Sequence, residues 1–422
     1  MTDPKQRANK PRPWYSVLGP GLVTGAADDD PSGIGTYSQV GAQFGYTQPW
    51  ALLFSLPLMA SIQEICARIG AGTGRGIAQN LKEHYPRALL RLVVLLLLVA
   101  NVINLGADLG AMGAALALIV PGPALPATIA FGVVSVLLEV FVSYPRYAAV
   151  LKWATLSLFS YFAVVLMAEV DWYAALKGTL VPHFSFDKDH VTALVAVLGT
   201  TISPYLFFWQ SGQEVEEQHR RHVKPLMVSP RRAGPELRRI RVDTMVGMTF
   251  SNLTAIVIVI ATAATLHQAG ITQIDSAVEA ATALRPLAGE LAFALFAIGV
   301  ISTGLLAVPV LAGSAAYAVA EMFGWREGLN QRPREAKAFY AVIALATLAG
   351  VAMNFLDVNP MKALYWAAVV NGLLAPPLMI VTMLIARNPK VMGGLVIGRG
   401  LAFWGWLSTA VMAGVAVLFA LV

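Results

Sequence analysis

Two kinds of residue are scarce in this 422-residue chain, and each scarcity excludes a class of protein. A single cysteine, Cys66, excludes internal disulfides, iron–sulfur clusters and cysteine-rich zinc sites. Charged residues make up only 13% of the chain and hydrophobic residues 57%, a balance typical of a membrane protein that crosses the bilayer many times. The net charge of +6 resides mainly in loops, so it indicates membrane topology rather than nucleic-acid binding.

Eleven apolar segments are long enough to span a bilayer, which takes about 20 residues. They lie near 17–43, 49–67, 92–119, 124–143, 147–168, 191–215, 244–266, 287–320, 337–355, 361–385 and 400–421. Residues 1–16 are largely polar and basic, and we expect them to form a cytoplasmic tail. The chain is therefore predicted to be an all-α integral membrane protein with eleven transmembrane helices.

The basic residues predict the orientation of these helices. With the N-terminus inside, all but four of the 30 lysines and arginines fall in the tail or in cytoplasmic segments. The exceptions are Lys177, Lys188, Arg285 and Lys362. Because cytoplasmic loops are enriched in Lys and Arg, we expect a multi-pass protein of the inner (plasma) membrane, with the N-terminus cytoplasmic and the C-terminus outside.

The first apolar segment is interrupted by three consecutive carboxylates and a proline, Asp28-Asp29-Asp30-Pro31. Proline stops a helix, and the residue before it avoids helical geometry. Carboxylates are costly in a bilayer and are retained there mainly for function. At such a break Asp30 and freed carbonyls are suited to ligate a hard cation; a helix cap at the membrane boundary is its alternative role. Asp28 and Asp29 are expected to be boundary groups or to line the pathway.

A second interruption, at 199–204, reads Gly-Thr-Thr-Ile-Ser-Pro and lies five segments later. Because five is odd, the two halves would have opposite topology, and paired broken helices in inverted halves indicate a transport site. The predicted units are a tail at 1–16, a first repeat at 17–168, a second repeat at 191–385 and a final helix at 400–422. Thr200 and Ser203 offer hydroxyls to an ion, or they satisfy backbone groups freed by Pro204.

Two further polar features lie in apolar segments. Asp108, in the third segment, is expected to face water, a basic partner or the transported ion, since an unpaired aspartate there is costly. Its alternative role is an ion pair with a cytoplasmic arginine. Glu64 and Arg68 are four residues apart on one helix face, so we expect them to pair near the cytoplasmic end.

Three motifs resemble the NRAMP family of divalent-metal transporters over most of the chain. They are Gly19-Pro20-Gly21 followed by Asp30-Pro31, the stretch Gln63–Gly70, and the loop Asn388–Gly393. The resemblance implies a LeuT-like fold of five helices plus five inverted helices, with helices 1 and 6 broken and an eleventh helix appended. It also implies an ion site between helices 1 and 6.

The chain departs from the family pattern around that site. Residues 30–33 read Asp-Pro-Ser-Gly where the family has Asp-Pro-Gly-Asn, so Gly33 replaces an asparagine ligand. On helix 6 the family's methionine and the adjacent histidine become Ser203 and Tyr205, and on helix 3 a glutamate becomes Ala111. The expected metal-site residues are Asp30, Gly33, Thr200 and Ser203. Further pathway candidates are Asp28, Asp29, Asp108 and Tyr205.

These replacements share a chemical direction. A thioether is a soft ligand, and Ser203 in its place leaves only oxygen ligands, while Gly33 is expected to widen the cavity. Mg²⁺ usually binds through one or two carboxylates and keeps several waters. The pattern resembles that of the NRAMP-related magnesium transporters, which implies Mg²⁺ as the transported substrate, Mn²⁺ as a second substrate, and no permanently bound cofactor.

The same replacements remove titratable groups beside the site. Tyrosine titrates near pH 10 in reference peptides and alanine does not titrate. We therefore expect transport without proton coupling, with Asp108 as the one remaining candidate proton carrier. The membrane potential alone favours influx of a divalent cation by roughly 4–5 kcal/mol per 100 mV.

Four other functions stay open. They are a proton-coupled Mn²⁺/Fe²⁺ transporter with an atypical site, a carrier of a hard trivalent ion, an amino-acid transporter of the same fold, and a membrane receptor or enzyme. Asp30 disfavours the carboxylate of an amino acid, and no nucleophile–base pair or nucleotide-binding loop supports an enzyme. We expect the protein to be a monomer. Its expected partners are a divalent metal ion and the lipid bilayer, not nucleic acid.

Overall fold

The computed structural model describes residues 19–142, 158–329, 331–356 and 358–422. Within these ranges the protein is built of helices and contains no β-strand. The main helices are α1 (Pro20–Asp28), α2 (Pro31–Phe44), α3 (Pro49–Thr73), α4 (Ile77–His84), α5 (Arg87–Ala117), α6 (Ala124–Phe141), α7 (Phe159–Met167), α8 (Trp172–Leu180), α9 (Lys188–Thr201), α10 (Pro204–Arg220), α11 (Ala233–Thr262), α12 (Ala292–Phe323), α13 (Lys337–Met353), α14 (Pro360–Arg387) and α15 (Arg399–Leu421).

Eight helical stretches of the described chain are long and apolar enough to cross a membrane. They are Pro49–Thr73, Arg87–Ala117, Ala124–Phe141, Lys188–Arg220, Pro230–His267, Arg285–Phe323, Pro360–Arg387 and Arg399–Leu421. The predicted segment 147–168 is described only from residue 158 onward, where it contains α7. Its residues 147–157 lie outside the described residues. The total of eleven spans therefore stays a prediction.

The first predicted break lies where the carboxylate run meets the proline. Helix α1 ends at Asp28, and α2 begins at Pro31, a position where the missing N–H of proline costs no helical hydrogen bond. Between them Asp30 is extended, with φ −73° and ψ 171°, the conformation that a following proline favours. The chain thus changes course at the residue that the sequence singles out.

The second predicted break has the same local cause. Helix α9 ends at Thr201 and α10 begins at Pro204. Ser203, the residue before the proline, is extended, with φ −75° and ψ 130°. Both breaks therefore follow from an X-Pro step inside an otherwise helical segment.

Close packing of small residues holds the two broken helices in the bundle. Gly25 of α1 lies against the backbone of Gly247 in α11, and Gly199 of α9 lies against the backbone of Ala368 and Gly372 in α14. A Cβ at Gly25 or Gly199 would collide with these backbones. Such close approach lets helices associate in lipid, where the hydrophobic effect between helices is weak.

Candidate ion site between the two broken helices

Asp30 is the centre of the site. Its side chain is only 2% exposed. One carboxylate oxygen accepts the backbone N–H of Gly33 at 2.6 Å, and the other accepts the hydroxyl of Tyr205 at 3.0 Å. The broken helix 1 of the fold consists of α1 and α2, and the broken helix 6 consists of α9 and α10. Because Tyr205 lies in the first turn of α10, this bond joins the break of helix 1 to the break of helix 6. The sequence-predicted residues Asp30, Gly33 and Tyr205 are thus brought together.

Asp108 approaches the same break from α5. One of its carboxylate oxygens accepts the backbone N–H of Ser32 at 3.1 Å, so Asp108 caps the N-terminus of α2. Its other oxygen is buried and has no hydrogen-bond partner among the described residues. The alternative ion pair with an arginine is not present in the part of the chain that the structure describes; Asp108 faces the helix break instead.

Asp28 and Asp29 are both tied to α11. The hydroxyl of Ser251 donates to Asp28 at 2.7 Å and to Asp29 at 3.1 Å. Both aspartates are buried, with exposed fractions of 0% and 2%. Their burial beside a residue in the middle of α11 differs from the boundary role that was one of their two predicted alternatives.

The hydroxyl of Ser203 is directed at its own helix. It donates to the carbonyl oxygens of Gly199 and Thr200, at 3.0 and 2.7 Å. These are carbonyls that the break at Pro204 leaves without their usual helical donors. In this conformation Ser203 therefore satisfies the freed backbone, which is the alternative role considered for it. Its oxygen and that of Thr200, both buried, still contribute only hard donor atoms to this side of the site.

The space beside Gly33 is filled. A Cβ at this position would lie 3.2 Å from the carbonyl oxygen of Asp28, 3.3 Å from the ring of Tyr37 and 3.4 Å from the carboxylate of Asp30. The expectation that Gly33 widens the cavity is therefore wrong for this conformation, because the ring and the backbone occupy the volume that a side chain would take.

The first helix break offers few side chains that could coordinate a metal ion. The described residues contain no group of three or more His, Cys, Asp or Glu arranged to hold a metal ion. What the break offers is the carboxylate of Asp30 at its centre, the carboxylate of Asp108 beside it, and the carbonyl oxygen of Ala27, which lies 3.4 Å from the hydroxyl of Tyr205. An ion held there would complete its coordination with backbone oxygens and water.

Gln39 of α2 binds the segment that contains Thr272 and Ile274, and it lines two cavities. Its amide nitrogen donates to the carbonyl of Thr272 at 3.2 Å, and its amide oxygen accepts the N–H of Ile274 at 2.9 Å. A cavity of about 220 Å³, lined in part by Lys188, lies on one side of Gln39. A second cavity of about 10 Å³, also lined by Gln39, reaches Pro31, and such a volume holds about one water.

Asp243 of α11 caps the N-terminus of α1. Its carboxylate accepts the backbone N–H groups of Gly19 and Gly21 at 2.8 Å and of Leu22 at 3.1 Å. The guanidinium of Arg239 lies 3.5 Å from the same carboxylate. A carboxylate at a helix N-terminus is favoured by the unpaired N–H groups and by the helix dipole. With Asp30 only 2% exposed, the site is occluded in this conformation.

Four residues that contact α1 or α2, or lie within them, were not predicted from the sequence as part of the site. They are Ser32, Gln39, Asp243 and Ser251. Each is a polar residue within or at the edge of an apolar segment, which is the signal that could have found it. By contrast, the ion pair of Glu64 with Arg68 was predicted and is present at 2.5 Å.

The helical bundle with two broken helices meeting at buried carboxylates defines a multi-pass membrane protein of the LeuT type. The sequence profile of the natural resistance-associated macrophage protein-like (Nramp) family matches residues 21–422, so the chain belongs to that family. The predicted family and the predicted all-α, LeuT-like fold are both confirmed.

Relatives and solved structures support the same assignment. The divalent metal cation transporter MntH of Acidiphilium cryptum is 26% identical over 406 residues, which are 92% of this chain and 86% of the relative. MntH of Granulibacter bethesdensis is 27% identical over 315 residues, 71% of this chain and 67% of the relative.

Two solved structures share the fold at low sequence identity. A manganese transporter from Eremococcus coleocola, bound to an aromatic bis-isothiourea compound, superposes with a TM-score of 0.75 at 16% identity, covering 98% of this chain and 87% of that one. A transporter of the nucleobase-cation-symport-1 family gives 0.58 at 13% identity, covering 96% and 91%. At these identities the likeness concerns the fold alone.

Proposed function

We propose that this protein is a secondary transporter of divalent metal cations, that Mg²⁺ is its preferred substrate and that Mn²⁺ is a second one. Relatives named as divalent metal cation transporters support the class of substrate. The observation that carries the proposal is Asp30, a buried carboxylate at a helix break that accepts the hydroxyl of Tyr205 from the second break. The protein would act by alternating access, with no enzymatic step and no resident cofactor.

The donor chemistry favours a hard ion. Oxygen ligands suit Mg²⁺, Ca²⁺ and Mn²⁺, whereas a thioether would favour softer ions. With Ser203 at the helix-6 break, no soft ligand replaces the missing methionine of the family pattern. One or two carboxylates with backbone oxygens suit an ion that retains several waters, as Mg²⁺ usually does.

A hydrated ion needs more room than the occluded arrangement offers. We therefore place its binding in a conformation open to one end, in which the contacts of Gln39 or those of Asp243 have separated. Opening at Gln39 would admit the ion, and release of α1 from Asp243 would let it leave. The four metal-site residues Asp30, Gly33, Thr200 and Ser203 would line that opened space.

We propose that transport is not coupled to a proton. Tyr205 and Ala111 stand where the family pattern has titratable groups, and Asp108 is engaged as the cap of α2. The membrane potential would then drive influx of the ion by itself.

The topology forms part of the same proposal. The protein would lie in the plasma membrane as a monomer, with the N-terminus cytoplasmic, the C-terminus outside and inverted repeats at 17–168 and 191–385. The distribution of lysine and arginine supports this orientation.

The test of the substrate is a comparison of four ions with the purified protein. Isothermal titration and liposome uptake would be measured with Mg²⁺, Mn²⁺, Cd²⁺ and Ca²⁺. We expect uptake of Mg²⁺ and Mn²⁺ and weak binding of Cd²⁺. Tight binding of Cd²⁺ without Mg²⁺ uptake would favour the second candidate, a proton-coupled Mn²⁺/Fe²⁺ transporter with an atypical site. That candidate is favoured by one observation, the proximity of the Asp108 carboxylate to the break.

A further inference from the structure

A groove between α14 and α15 combines a basic rim with an apolar wall. Its volume is about 460 Å³. Arg387, in the last turn of α14, and Arg399, the first residue of α15, form the rim. Phe403 and Trp406 of α15 contribute to the wall, and their side chains are 61% and 39% exposed.

The groove has an uncompensated positive charge. No acidic residue lines it. Both arginines are exposed, and neither forms an ion pair with a residue of the described chain. Two guanidinium groups facing one groove without a carboxylate are suited to bind a phosphate, since guanidinium groups match phosphate oxygens in geometry and charge.

The apolar wall continues away from the arginines along one face of α15. Arg399, Phe403, Trp406 and Ala410 are spaced by four, three and four residues, so they lie on one side of the helix. The groove therefore has a charged end and an apolar strip that runs along a membrane-crossing helix. This is the shape of a phospholipid, with a headgroup at the rim and an acyl chain along the strip.

The rim lies at the end of the bundle that gathers the basic loops. The amide of Asn388, next to Arg387, donates to the hydroxyl of Tyr85 at 3.2 Å, between Lys82 in the last turn of α4 and Arg87 at the start of α5. An excess of basic residues marks the cytoplasmic side of a membrane protein, where anionic lipid headgroups bind basic pockets between helices. We propose that this groove binds an anionic phospholipid of the cytoplasmic leaflet through Arg387 and Arg399.

The experiment is native mass spectrometry of the full-length, detergent-purified protein with added phosphatidylglycerol. Phosphatidylcholine of the same acyl chains serves as the zwitterionic comparison, and inorganic phosphate as the free anion. We expect phosphatidylglycerol to bind at least about tenfold more tightly than phosphatidylcholine. Each arginine near an anionic surface contributes a factor of about five, so R387Q/R399Q is expected to bind phosphatidylglycerol about 25-fold more weakly.

The control variant is R334Q/K390Q, which removes the same charge from two exposed positions that do not line the groove. It should bind phosphatidylglycerol as the unchanged protein does. Equal binding by R387Q/R399Q and the unchanged protein would overturn the proposal, as would equal binding of the two lipids. Displacement of the lipid by millimolar phosphate would identify a free-anion site instead. If R387Q/R399Q fails to fold, the single variants R387Q and R399Q replace it, and each is expected to bind phosphatidylglycerol about fivefold more weakly.

Discussion

The two helix breaks have the same local cause and opposite chemistry. At the break of helix 1 the freed N–H groups are bound by carboxylates, that of Ser32 by Asp108 and that of Gly33 by Asp30. At the break of helix 6 the freed carbonyls are bound by a neutral hydroxyl, that of Ser203. The negative charge that a cation needs is therefore concentrated at one break. We therefore expect ion binding to depend mainly on helix 1, and the preference among ions to depend on helix 6.

The largest effect is expected from removing the charge at the first break. Asp30→Ala should abolish Mg²⁺ uptake into proteoliposomes, because no other carboxylate of the described chain replaces its position between Gly33 and Tyr205. The matched control is Asp275→Ala, which removes a half-exposed surface carboxylate paired with Lys362 and should transport normally. Near-normal uptake by well-folded Asp30→Ala protein would refute the ion site.

The second variant separates capping from proton transfer at Asp108. Asparagine caps a helix N-terminus about as well as aspartate, whereas alanine costs about 1 kcal/mol. Asp108→Asn should therefore keep most of the uptake at pH 7, and Asp108→Ala should lose stability, as measured by thermal unfolding in detergent. Loss of transport in Asp108→Asn with unchanged folding would instead identify Asp108 as a proton carrier.

Changing the donor atoms at the second break should alter preference more than total uptake. Ser203→Met introduces a thioether, so Cd²⁺ affinity is expected to rise about tenfold, or ~1.4 kcal/mol. Adding Gly33→Asn should weaken the binding of Mg²⁺, because even a Cβ at position 33 would crowd the ring of Tyr37. An unchanged ratio of Mg²⁺ to Cd²⁺ uptake in the double variant would show that these positions do not set selectivity.

The smallest effect is expected from Ser203→Ala. It removes the hydroxyl that binds two freed carbonyls, a loss of about 1 kcal/mol. Thermal unfolding should shift downward slightly, while Mg²⁺ uptake falls less than in Asp30→Ala. Complete loss of uptake in a stably folded Ser203→Ala protein would mean that the hydroxyl is itself an essential ligand and that the two breaks contribute more equally.

The sequence predicted what depends on neighbouring residues and missed what depends on packing. Both breaks follow from a proline and the residue before it, so they were found correctly. The tertiary partners of α1 and α2 were missed, because they come from distant parts of the chain: Asp243 is 224 residues from Gly19, and Gln39 is 235 residues from Ile274. The space beside Gly33 was misjudged for the same reason, since the ring of Tyr37 and the backbone of Asp28 fill it.

We propose that a site centred on the Asp30 carboxylate carries Mg²⁺ down the membrane potential without a proton. This proposal is tested most directly in proteoliposomes that contain dyes for Mg²⁺ and for pH, under a potassium diffusion potential that is negative inside. Protein-free liposomes under the same potential correct for proton leak. We expect Mg²⁺ influx that increases with the potential and no acidification beyond that leak. Failure to take up Mg²⁺, or acidification of the lumen that tracks the influx of Mg²⁺ or Mn²⁺, would contradict it.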